Sequence, residues 1–228
     1  MEKCAYVTLL SSDDYIWGVL GLKYSLEKNN CKYPLVTIVT NDISQKNLNL
    51  LKQENIIIKL VEKQIFQNIP NDHRYKTCIN KLYIFGLNEY EKIFFLDADC
   101  IVIYNLDFLF NYDLPIFSII PDIETSYSRG YIWGGAFLVK PSLKLKEHFF
   151  QIAPNFDTDE KILNDFFQNF NFKIFNASFF IIHDYNPIKK YWERYSLKNK
   201  EKIKNFIDNS TYLIIEKTSW IYSEILPH

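Results

Sequence analysis

No glycine-rich phosphate loop occurs in this chain. Neither G-x-G-x-x-G nor G-x-x-x-x-G-K-[ST] is present, so a dinucleotide-binding Rossmann enzyme and a P-loop enzyme are both set aside. Any phosphate must be neutralised by another device. There is no G-x-S-x-G elbow, and the cysteines have no obvious base beside them, so nucleophilic hydrolase chemistry has little to build on. Cys4, Cys31, Cys78 and Cys100 are scattered, without a C-x-x-C pair or clustered histidines, which argues against a zinc site or a disulfide scaffold and fits reduced thiols in a cytoplasmic setting. Charge of one sign is missing too: 26 Lys and Arg against 27 Asp and Glu leave −1, so nothing global draws the chain to nucleic acid or to an anionic membrane. No apolar run approaches the ~18 residues that span a bilayer. A strand-like segment begins almost at once, without a basic stretch and long apolar region ahead of it, so no signal peptide is read. The expected location is the cytoplasm, or a host cytoplasm or virion if the source is viral.

What is abundant is apolar bulk, at 48% hydrophobic residues with 19 Phe and 16 Tyr, enough to fill the core of one large domain over 1–228. Tyr6–Leu10 reads as a first strand, followed by the polar turn Ser11-Ser12-Asp13-Asp14 and a helix from near Tyr15 carrying Val19, Leu22 and Leu26 at helical spacing. Leu35–Val39 and a strand opening at Ile56 flank a second helix, with Ser44 as its N-cap and Leu48 and Leu51 on one face. This β-α-β-α-β order predicts an α/β fold whose central sheet is mainly parallel and flanked by helices. Further helices are predicted near 80–88, 144–153 and 159–170, and further strands at 115–120, 135–139 and 179–182, the last ending in His183.

The run Ile93-Phe94-Phe95-Leu96 leads directly into Asp97-Ala98-Asp99. An unbroken apolar run reads as a buried parallel strand, which delivers two carboxylates to its C-terminal edge, where ligands of open α/β sheets collect. Two carboxylates one residue apart can share a hard divalent cation, or they can simply end a strand as solvated acids. The triplet alone does not decide between these.

The ordered set of motifs does more. Val7-Thr8-Leu9-Leu10-Ser11-Ser12-Asp13-Asp14-Tyr15, Asn80-Lys81-Leu82, Phe95-Leu96-Asp97-Ala98-Asp99, Asn105-Leu106-Asp107-Phe108-Leu109-Phe110, Trp133-Gly134-Gly135-Ala136-Phe137, Phe156-Asp157-Thr158-Asp159-Glu160 through Asn164, and His183-Asp184-Tyr185-Asn186-Pro187-Ile188-Lys189 follow one another along nearly the whole chain. In that order they resemble the motifs of the retaining family-8 glycosyltransferases, the group that includes glycogenin, bacterial lipopolysaccharide galactosyltransferases and galactinol synthase. The resemblance implies a GT-A (Rossmann-like) catalytic domain and transfer of a hexose, glucose first, from a UDP-sugar to a hydroxyl acceptor that is a glycan, a small molecule or a protein tyrosine. Self-glucosylation and a homodimer belong to the same expectation.

The resemblance also implies site residues. Asp97, Asp99 and His183 would ligate Mn²⁺, with Mg²⁺ as the substitute cation; Leu9, Ser11, Ser12 and Tyr15 would hold the uridine, and Ala98 would be a further donor-binding residue. Lys81, Asn186 and Lys189 would meet the phosphates or sugar, Gly134 and Glu160 the sugar, and Asp159 with Lys81 would serve catalysis. Three departures from the family pattern stand out: Trp133-Gly134 in place of Asn-Ser, Glu160 in place of Gln, and Asn186 in place of Gly. Two other readings stay open, a binding module without turnover and, less favoured, a Mg²⁺-dependent D-x-D phosphatase, whose motif normally lies on the first strand.

Overall fold

The computed structural model describes residues 3–73, 75–112, 115–119, 132–167, 170, 173–176 and 181–182. Its strands are β1 (Cys4–Leu10), β2 (Leu35–Thr40), β3 (Ile57–Val61), β4 (Lys92–Leu96), β5 (Ile101–Val102), β6 (Ile116–Ile119), β7 (Trp133–Val139), β8 (Lys173–Asn176) and β9 (Ile181–Ile182), and its α-helices are α1 (Ile16–Lys28), α2 (Gln45–Gln53), α3 (Leu143–Ile152) and α4 (Asp159–Phe167). Seven strands form one sheet in the order β3-β2-β1-β4-β7-β6-β8, while β5 and β9 form a separate antiparallel ribbon. The pairs β1/β2, β2/β3, β1/β4 and β6/β8 are parallel; β7 runs antiparallel to both neighbours. The expected mainly parallel α/β sheet is therefore present, with β7 reversed beside the strand that carries Asp97.

Both faces of the sheet are covered, which is why its central strands read as unbroken apolar runs. Phe94 and Leu96 face the layer with Val19 and Leu22 of α1, whereas Ile93 and Phe95 face Leu82, Phe85, Phe149 and Leu163. Ser44 caps α2 as expected, its hydroxyl accepting from Asn47 N–H at 3.4 Å. The segment expected as a helix near 80–88 is a 3-10 helix over Cys78–Gly86; of the helix expected over 159–170, α4 is described over Asp159–Phe167, and 168 and 169 lie outside the described residues. Strand β8 was not expected from the sequence. Of the expected strand 179–182, Ile181 and Ile182 are described.

The motif Asn105-Leu106-Asp107 fastens α1 to the sheet. Asn105 Nδ2 donates to the carbonyls of Asn29 (3.1 Å) and Asn30 (2.8 Å), just past the helix C-terminus, where Asn30 takes a left-handed φ of 54°. Asp107 accepts from the buried Tyr6 hydroxyl at 2.8 Å and from Lys32 N–H at 3.1 Å. The end of α1 is thereby anchored, and Gly18 near its start sits against the D-A-D turn. A Cβ on Gly18 would lie 2.4 Å from the Ala98 carbonyl oxygen, so only glycine permits this approach.

Candidate active site

Asp97 and Asp99 lie just beyond the C-terminal end of β4, both half-buried, with Ala98 buried between them. The turn is held by backbone bonds: Asp97 N–H donates to the Gly135 carbonyl (2.8 Å) and Cys100 N–H to the Asp97 carbonyl (3.0 Å). Beside it, one step on β6 from Phe117 to Ser118 is matched on β7 by the step from Phe137 to Trp133. Residues 134–136 thus bulge from the β6 ladder while β7 still pairs with β4 at Leu96 and Ala136, a common way to re-aim main chain at a site.

Lys81 occupies the centre. It is 6% exposed, and its ammonium lies 2.6 Å from Asp159 Oδ2 and 3.1 Å from Asp97 Oδ1, donates to the Gly134 carbonyl at 2.8 Å and sits 5.0 Å from the centre of the Phe95 ring. Burial alone would lower its pKa, but the Asp159 and Asp97 charges outweigh that and hold it well above the usual lysine value. Lys81 is therefore a fixed cation. Burial raises the pKa of Asp159, itself 3% exposed, against the opposing pull of Lys81. Glu160 is half-buried, accepts from Gly134 N–H through Oε1 (3.1 Å), and is pushed up to about 7 by burial and then by the Asp159 charge. Two carboxylates thus face the Lys81 ammonium, and a third, Glu160, stands beside them on the Gly134 N–H.

Two asparagine amides hold this arrangement. Asn80, next to Lys81, accepts from Gln64 N–H and donates to the Gln64 carbonyl, both at 2.8 Å, and donates to the Thr77 carbonyl at 2.7 Å. Asn164 of α4 accepts from Ile132 N–H and donates to its carbonyl, both at 2.9 Å, which fixes the helix bearing Asp159 and Glu160 against the start of β7. At Gly134 a Cβ would stand 2.8 Å from Glu160 Cγ and 3.0 Å from Asp159 Oδ2, so glycine is what lets α4 come this close.

A cleft of ≈ 500 Å³ opens beside the C-terminal end of β1, lined by Ser11, Ser12, Lys63, Ile65, His73, Lys76 and Thr77 among others. Ser11 and Thr77 hydroxyls are 3.0 Å apart, linking the β1 turn to the segment that leads to Lys81. Leu9 is half-buried and Tyr15 is 49% exposed at the start of α1. Asp13 anchors the turn: its Oδ1 accepts from Ser44 N–H (3.1 Å), the Ser44 hydroxyl (3.1 Å) and Asn47 Nδ2 (2.6 Å) at the start of α2.

The structure brings together Lys81, Asp97, Asp159, Gly134 and Glu160, and it places Asp99 two residues beyond Asp97. Ser11 and Ser12 border the neighbouring cleft. His183, Asn186 and Lys189 lie outside the described residues. Ile182, which precedes His183 in the sequence, pairs with Ile101, two residues past Asp99. Among the described residues no group of three His, Cys, Asp or Glu side chains converges on a cation site, and Asp97 and Asp99 supply two oxygen donors that suit a hard divalent ion. Sequence reasoning placed Asp13 and Asn80 in motifs without giving them a role, and missed Gly18, Lys63, His73 and Lys76. A glycine inside an apolar-spaced helix was the available signal for Gly18; a lone polar or charged side chain, ordinarily solvated, gave none for the roles of the others.

Comparison with known proteins agrees with this architecture. Among curated relatives, galactinol synthase 1 of Solanum lycopersicum is 30% identical over 72% of this chain and 54% of its own length, and human glycogenin-2 is 30% identical over 82% of this chain and 40% of its own. The chain spans about half the length of the curated relatives it matches. A crystal structure of the galactosyltransferase LgtC with donor and acceptor sugar analogues superposes with a TM-score of 0.60 at 18% identity, covering 76% of this chain and 74% of that one, a likeness of fold. The fold is GT-A. No helix among the described residues is long and apolar enough to cross a membrane. The family description "Glycosyl transferase family 8" matches residues 6–214, and the chain belongs to that family.

Proposed function

We propose that this chain, acting as one catalytic domain over 1–228, transfers a hexose, glucose first, from a UDP-sugar to a hydroxyl acceptor with retention of configuration. The observation that carries the reading is the convergence of Lys81, Asp97, Gly134 and Asp159, from four separate motifs, into one buried polar cluster at the C-terminal edge of the sheet. Asp97 and Asp99, with His183 as third ligand, would hold Mn²⁺, or Mg²⁺ in its place. The pairing of Ile182 with Ile101 supports including His183 in that set. When bound, the cation supplies Lewis-acid neutralisation of the leaving diphosphate.

This chain's own groups do the rest. Ser11, Ser12, Leu9 and Tyr15 receive the uridine end, with Tyr15 49% exposed at the start of α1. The Lys81 ammonium, fixed without reorganisation, favours the ionised form of Asp159 against the effect of burial, and that carboxylate beside the donor sugar would stabilise positive charge growing at the anomeric carbon. Gly134 and Glu160 border the sugar, and Asn186 and Lys189 complete the phosphate contacts. The acceptor is a glycan, a small molecule or a tyrosine of the protein itself, the last within a homodimer as glycogenin-like enzymes form, and the setting is cytoplasmic.

The test is UDP release from a panel of UDP-sugars with Mn²⁺, for wild type and Asp99→Ala, with intact mass read on the same samples. Metal-dependent release from one sugar, lost in the variant, is expected, and added hexose mass identifies self-glucosylation. UDP binding without turnover of any sugar would favour a binding module, and no UDP binding would overturn the site.

A further inference from the structure

We propose that Glu160 makes the sugar end of this site a charge filter, which admits neutral hexosyl donors and rejects hexuronosyl donors. The inference rests on the donor site proposed above and adds a substrate class to it. Its basis is the charge inventory around Gly134. Among the described residues, Asp97 and Asp159 lie 3.1 Å and 2.6 Å from the Lys81 ammonium and Glu160 joins them through Gly134 N–H, so three acidic side chains share one basic one beside Gly134; the cation proposed at Asp97 and Asp99 would be met by those two carboxylates and the donor's diphosphate. Lys81 cannot answer a further anion, because its contacts already go to Asp97, Asp159 and the Gly134 carbonyl.

Glu160 is also held where a donor would feel it. The absent side chain of Gly134 leaves room for the Glu160 stem, which a Cβ there would meet at 2.8 Å. Gly134 N–H takes Oε1, and the residue remains half-buried rather than sealed like Asp159. A carboxylate in that position accepts hydrogen bonds from the hydroxyls of a neutral hexose. It repels the C6 carboxylate of a hexuronate, and in a partly desolvated site a repulsion between two unit charges several ångströms apart changes affinity by about tenfold or more. Glutamine has the same shape and can still accept from Gly134 N–H, so Glu160→Gln removes the charge and little else.

The experiment is a competition between UDP-glucose and UDP-glucuronate in one tube at pH 8 with Mn²⁺, where Glu160 is ionised, counting the two sugar products or released sugars by mass. The ratio measured this way is independent of the fraction of folded enzyme. Wild type is expected to favour the neutral donor by more than about tenfold, and Glu160→Gln to cut that preference by about tenfold. Equal use of the two donors by wild type, or an unchanged preference in Glu160→Gln, overturns the filter while leaving the glycosyltransferase reading intact. If neither donor is used and UDP does not bind, both readings fall together.

Discussion

Replacing Lys81 by Met tests the buried charge cluster most severely. Met keeps the length and apolar stem of the side chain but removes the ammonium that faces Asp159 at 2.6 Å, Asp97 at 3.1 Å and the Gly134 carbonyl at 2.8 Å. Removing one partner of a buried ion pair leaves the other charge uncompensated and costs about 3–5 kcal/mol. For a chain of this size each 1 kcal/mol moves Tm by roughly 2–4 °C, so a fall of roughly 6–20 °C is expected. Urea unfolding with chelator present measures the loss without interference from bound cation. The variant should also regain stability as pH falls from 8 to 5, because Asp159 and Glu160 escape repulsion by taking up protons. Adding Asp159→Asn to Lys81→Met should recover part of the loss. A penalty below about 1 kcal/mol, or no pH dependence, would refute the claim that Lys81 is the cation on which these acids depend.

Gly18→Ala places a Cβ 2.4 Å from the Ala98 carbonyl and should cost about 1–3 kcal/mol in urea unfolding despite the better helix propensity of alanine, with weaker UDP binding as the D-A-D turn shifts. Tyr6→Phe leaves Asp107 without its hydroxyl donor, and calorimetric unfolding should show a loss of about 1.5–3 kcal/mol with donor binding little changed. Glu160 has a folded pKa raised from 4.5 to about 7, so its protonated form contributes stability that is full below about pH 4.5 and lost as pH rises through 7. Urea unfolding of wild type across that window, with chelator, should therefore show a steeper decline with pH than Glu160→Gln.

How far the sequence revealed this depended on the kind of interaction. The strand bearing Asp97 and Asp99 was legible because a buried parallel strand must be apolar on both faces, and Ile93 to Leu96 is. Ser44 was legible because capping is local. The 3-10 helix over Cys78–Gly86 resembled an α-helix because both periods bury similar residues over so short a span. Strand β8 escaped because Ile174 is half exposed and, among the described residues, the strand pairs at its β6 edge alone. Lys81 was the hardest case, since a lysine is ordinarily solvated and its burial depends on Asp97, Gly134 and Asp159, all distant in sequence. The order of motifs singled it out, and the ion pairs give the physical reason. The amide clamps of Asn80 and Asn164 were silent for the same cause: their partners, Gln64 and Ile132, are fixed only by the fold.

The measurement that bears most directly on the central claim is an anomalous difference map from crystals grown with Mn²⁺ and UDP. One manganese peak ligated by Asp97 and Asp99 and by the diphosphate, with uridine against Ser11, Ser12 and Tyr15, is the predicted result. UDP bound elsewhere, or a manganese peak away from both carboxylates, would contradict the account.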